Sequence, residues 1–135
     1  MDNETLSIVA KALNTAALLV IAFGLLLRRR PRAHIPIMLV AFVADIVNVL
    51  IVEVHARNTK GAGAVEQTVH MLDGSGSALQ YVHISTAVLS IVGYVVAIVT
   101  GRRLLKTGRG RGAHKLNAGI FLVTRLVSYV TSFWM

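Results

Sequence analysis

Residues 100–115 read TGRRLLKTGRGRGAHK, a run with six positive side chains and no acid. In a soluble domain such density of charge would point to nucleic acid. The flanks decide otherwise. On either side lie apolar runs, 79–100 and 116–135, each about the 20 residues needed to cross a hydrocarbon core. A second basic run, Arg28, Arg29, Arg30 and Arg32, sits in the same way between the apolar stretches 5–27 and 35–54. These two clusters hold ten of the 14 Lys and Arg residues. Basic residues gathered in short loops between apolar spans mark a cytoplasmic face. The charge therefore reports topology, and the expected partner is a lipid bilayer with no nucleic acid.

Composition agrees: 55% of the 135 residues are hydrophobic, as in a chain mostly embedded in lipid. That length supplies four helices of about 20 residues and leaves no room for a second domain. Strands of this length would leave unpaired edges in lipid, which excludes them. The expected fold is all-α, an integral membrane four-helix bundle forming a single domain over 1–135. Its helices are expected at about 5–27, 35–55, 79–100 and 115–135. Placing both basic loops inside puts the N-terminus, the C-terminus and the middle loop outside, with Tyr81, Phe133 and Trp134 at the outer interface. In the middle loop, 56–77, Val65, Val69 and Leu72 have the spacing of a short surface helix. The first segment does not resemble a signal peptide, because Asp2 and Glu4 precede its apolar run and the positive charges follow it. With no cysteine, thiolate metal sites, disulfides and Cys nucleophiles are excluded.

Polar groups inside such spans are costly and tend to face the bundle interior. On the second helix, His34, Met38, Ala41, Asp45, Asn48, Val52 and His55 follow steps of three and four and form one stripe. The third helix gives His83, Ala87, Ser90 and Tyr94. The fourth gives His114, Ala118, Phe121, Arg125 and Ser128. The first offers a small-residue face of Ala10, Asn14, Ala17, Ile21 and Gly24, suited to close packing. Asp45 lies as far beyond His34 as Arg125 lies beyond His114, roughly 16 Å along each helix. Opposite charges thus reach one level near the bilayer centre and are expected to pair. The plain account of that pair is a fixed helix register; a proton or anion relay, or a partner for haem propionates, is the functional one.

His34 and His114 mark the inner ends of helices two and four, while His55 and His83 mark the outer ends of helices two and three. His70, in the outer loop one turn after Glu66, could join the outer pair. Neutral imidazole ligates copper, zinc and haem iron, and the five histidines are the candidate metal ligands. A histidine at a membrane interface can equally be an amphipathic side chain among headgroups. No HExxH, no closely spaced metal motif and no nucleophile with an evident base is present, so an enzyme is not expected.

The order His34 then Met38, His55, Tyr81-Val82-His83-Ile84, His114-Lys115, and Val123, Thr124 and Tyr129 resembles a family of small four-helix bacterial membrane proteins. That family includes the CtaM-type factor for cytochrome c oxidase biogenesis. The resemblance covers helices two to four, with departures at Ile35, where a basic residue is expected, and at Arg125. It implies a multi-pass protein of the bacterial cytoplasmic membrane that binds haem b or copper, with cytochrome oxidase subunits as partners. The leading expectation is thus a non-enzymatic biogenesis factor for a respiratory haem–copper oxidase. A small b-type cytochrome and an accessory subunit of a larger membrane complex are the alternatives. His34 and His55 lie roughly 32 Å apart on an ideal helix, which disfavours two closely coupled haems.

Overall fold

The computed structural model describes residues 2–60 and 77–134. Among them the chain is all-α, with four helices: α1 Asn3–Leu26, α2 Pro31–Lys60, α3 Ala78–Thr107 and α4 Arg111–Thr131. They belong to two compact units, Met1–Asp73 and Gly74–Met135. Each unit is a hairpin, α1 packed on α2 and α3 packed on α4. The surface helix expected on Val65, Val69 and Leu72 lies outside the described residues, as do Glu66 and His70.

Helix ends follow local chemistry more than hydropathy. Asp2 caps α1 by accepting from the Thr5 N–H at 2.7 Å. That backbone bond holds the Asp2 carboxyl below its ordinary pKa. The second helix, expected from 35, starts at Pro31 because proline lacks the N–H that a first helical turn leaves unbonded anyway. At its other end α2 runs to Lys60, past the expected 55. Thr59 donates to the His55 carbonyl, and Arg57 reaches back to Glu53 at 2.9 Å. A similar correction applies to α3, expected to stop at Gly101. One glycine costs a helix about 1 kcal/mol and does not end it. The terminus comes at Gly108, whose φ of +66° lets its N–H bond the Leu104 carbonyl. At the start of α3, Ser77 and Gln80 cap one another's backbone N–H groups. The fourth helix, expected over 115–135, instead starts at Arg111 after Gly110 (φ +90°) and ends at Thr131. Phe133 and Trp134 therefore follow α4 instead of ending it.

Among the described residues three helices are long and apolar enough to cross a membrane: α1, α2 and α3, with mean hydropathy of 2.0, 2.6 and 2.2 over their most apolar stretches. The fourth expected span is not among them. Asn117, Thr124, Arg125, Ser128 and Thr131 dilute its apolar content, and burial shows where those groups go. Arg125, Ser128 and Thr131 are buried, whereas Leu116, Ile120, Val123, Leu126 and Val130 are at least half exposed. A water-soluble helix does the reverse. The same inversion holds elsewhere, with Asn14 and Ser90 buried and Leu19, Val40, Val88 and Val99 exposed.

Candidate functional site

The polar stripes read from the sequence are the covered faces of their helices. On α1, Asn14, Ala17, Ile21 and Gly24 are buried. Along α2, Ala41 is fully buried, while His34, Met38, Asp45, Asn48, Val52 and His55 are half-buried. Ser90 and Tyr94 are buried on α3, as are Phe121, Arg125 and Ser128 on α4.

Three histidines are held in the same way. His34 Nδ1 lies 2.7 Å from the carbonyl oxygen of Gly24, in the last turn of α1. A carbonyl can only accept, so Nδ1 carries the proton. His83 Nδ1 lies 2.8 Å from Thr131 Oγ1. The Thr131 hydroxyl already donates to the Val127 carbonyl at 2.8 Å, so it accepts from the imidazole. At the other end of the same hairpin, His114 Nδ1 meets Thr100 Oγ1 at 3.0 Å, and Thr100 donates to the Val96 carbonyl at 2.7 Å. The carbonyl partner puts the proton on Nδ1 of His34, and an Nδ1–H donated to the threonine oxygen is compatible with the bonds of His83 and His114. Anchoring of one ring nitrogen is the arrangement found where the other nitrogen of an imidazole ligates a metal.

Sequence reasoning found these histidines and missed their partners. Thr131 and Thr100 fell outside the stripes, and the Gly24 carbonyl carries no side-chain signal. The available clue was the heptad Asn117, Thr124, Thr131 on α4. Each member meets α3: Asn117 Nδ2 donates to the Gly93 carbonyl at 3.0 Å, Ser90 donates to Thr124 at 3.2 Å, and Thr131 receives His83. With His114–Thr100, these make four rungs of interhelical hydrogen bonds along one antiparallel seam. Where the rungs run, the backbones are close. A Cβ built on Gly93 would lie 3.1 Å from Phe121 Cβ, and one on Gly101 would lie 3.4 Å from His114 Cε1. Gly101 thus lies against the His114 imidazole where a helix stop was expected.

The other candidates divide by role. Met38 packs its sulfur against Gly24, where an added Cβ would lie 2.8 Å from it. Tyr94 packs against Phe121 in a tilted arrangement with ring centroids 4.4 Å apart. Both are packing residues. Asn48 is different: its Oδ1 is buried and has no hydrogen-bond partner among the described residues, a state that costs about 1–3 kcal/mol. Arg125 is 5% exposed. Asp45 belongs to the first unit and Arg125 to the second, so their pairing rests on the matched depth read from the sequence.

No group of three or more His, Asp or Glu residues gathers into a metal cage among the described residues. Within a unit, the histidines stand at opposite ends: His34 and His55 along α2, His83 and His114 along the α3–α4 hairpin. Among the described residues neither hairpin forms a two-histidine site by itself. No family model, curated protein or solved structure matches this chain.

Proposed function

We propose that this protein is a non-enzymatic, multi-pass membrane protein of the bacterial cytoplasmic membrane that holds haem or copper through imidazole Nε2 atoms. Its place would be in the biogenesis of a respiratory haem–copper oxidase. The observation that carries the ligand reading is the shared Nδ1 anchoring of His34, His83 and His114. An imidazole anchored in that way is oriented for ligation and made more basic at Nε2. Bound iron or copper would supply the redox or transfer chemistry. The chain's own part is to hold the rings and set them against apolar helix faces. The oxidase assignment rests on the family resemblance.

Membrane insertion is supported by the inverted burial, polar groups inside and aliphatic groups outside. All four helices cross in this reading, α4 included, because its polar groups bond α3 and its outward face is aliphatic. Both termini lie outside, by the confinement of ten basic residues to alternate turns. Since the chain has no native cysteine, single cysteines at Asn3 and Arg109 report the topology directly. Asn3→Cys is expected to label with an impermeant maleimide in intact cells, and Arg109→Cys only after lysis. Labelling of position 109 from outside would invert the arrangement.

The ligand reading is tested on protein purified in mild detergent, by absorption spectrum and metal content. A Soret band, or bound copper, is expected to fall by more than half when His34, His83 and His114, the three anchored histidines, are replaced together by Ala. Equal content in variant and wild type would remove these histidines as ligands. A split reduced spectrum with reversible redox titration would shift the assignment to a small b-type cytochrome.

A further inference from the structure

All six acids of the chain lie in residues 1–73, so the second unit has seven cations and no acid. Six of the seven, Arg102, Arg103, Lys106, Arg109, Arg111 and Lys115, are exposed and crowd one end of the α3–α4 hairpin. They surround a turn of three residues, Gly108 to Gly110, fixed by two left-handed glycines and by the Arg109 N–H donating to Thr107 Oγ1 at 3.2 Å. Arg102 and Lys106 are one turn apart on α3, as are Arg111 and Lys115 on α4, and like charges so placed repel. No side chain caps the first turn of α4, which adds the positive end of a helix dipole to the same place. Nothing in the unit can neutralise this cap.

We propose that the α3–α4 cap is a binding surface for the phosphate groups of anionic phospholipids. The proposal rests on the membrane reading above. Its depth fits: with the apolar part of α3 filling the hydrocarbon core, the turns from Gly101 to Thr107 extend about 9 Å beyond it. That is close to the roughly 5–8 Å that a headgroup layer adds on each side. The cations are thereby held at phosphate level. A rigid turn loses little freedom when it binds, unlike a mobile basic tail.

The test uses the full-length protein in dodecyl maltoside, with lipid binding followed by native mass spectrometry and by the thermal midpoint. Diphosphatidylglycerol is expected to bind and raise the midpoint, whereas phosphatidylcholine does neither. Each basic residue near an anionic surface contributes about fivefold to affinity, so Arg109→Gln, Arg111→Gln, Lys115→Gln together should weaken binding about a hundredfold. Arg109→Lys with Arg111→Lys should retain it. Three outcomes would overturn the proposal: unchanged binding in the glutamine variant, equal binding of phosphatidylcholine, or displacement of the lipid by inorganic phosphate at matched ionic strength. An equal loss on replacing Arg28, Arg29 and Arg30 by Gln would also overturn it, by showing bulk charge instead of this cap. Release of the protein from native membranes by alkaline carbonate would defeat the membrane reading itself, an outcome separate from lipid selectivity.

Discussion

Arg125→Gln is expected to destabilise the detergent-solubilised protein by about 3–5 kcal/mol, the usual cost of breaking a buried charged contact from one side. Arg125 is almost completely covered within the second unit, where a charge is held only by contacts that satisfy it. Thermal midpoints of wild type and variant measure the loss. A midpoint unchanged by Arg125→Gln would show that the buried charge adds nothing to stability.

The second large effect concerns glycine. Gly93→Leu is expected to cost about 1–3 kcal/mol, the usual range for overpacking, because even its Cβ would press on Phe121 at 3.1 Å. Phe121 is buried against Tyr94 and has nowhere to retreat. Gly119 gives the contrast. A Cβ there meets nothing within 4 Å, so Gly119→Ala should stabilise α4 by about 0.5–1 kcal/mol through helix propensity. One residue type in two places along the same hairpin thus has opposite signs. Thermal unfolding followed by circular dichroism distinguishes them, and a stabilising Gly93→Leu would mean that the helices do not approach as closely as described.

The helices were legible because hydropathy and charge are one-dimensional signals. A bilayer-length apolar run and a cluster of arginines need no knowledge of what packs where. Periodicity also placed the covered faces correctly, from Asn14 to Gly24 on α1 and from His114 to Ser128 on α4. Ends were less legible. Gly101 looks like a stop, yet it lies inside α3 beside His114, a fact that depends on the neighbouring helix. Pro31 looks like a breaker, yet it opens α2, where its missing N–H costs nothing. The hydrogen bonds of the histidines were hidden for a similar reason. Thr131 and Thr100 gain meaning from the antiparallel register, which a single helix cannot reveal. Sequence placed the imidazoles at helix ends, and their Nδ1 partners emerged only with the packing.

The polarity of α4 also bears on how the protein is made. Its polar side chains are met by groups of α3: the Gly93 carbonyl, Ser90, His83 and Thr100. In the proposed membrane-spanning arrangement the order of the two helices then becomes part of insertion, because the earlier helix supplies the partners that the later one needs.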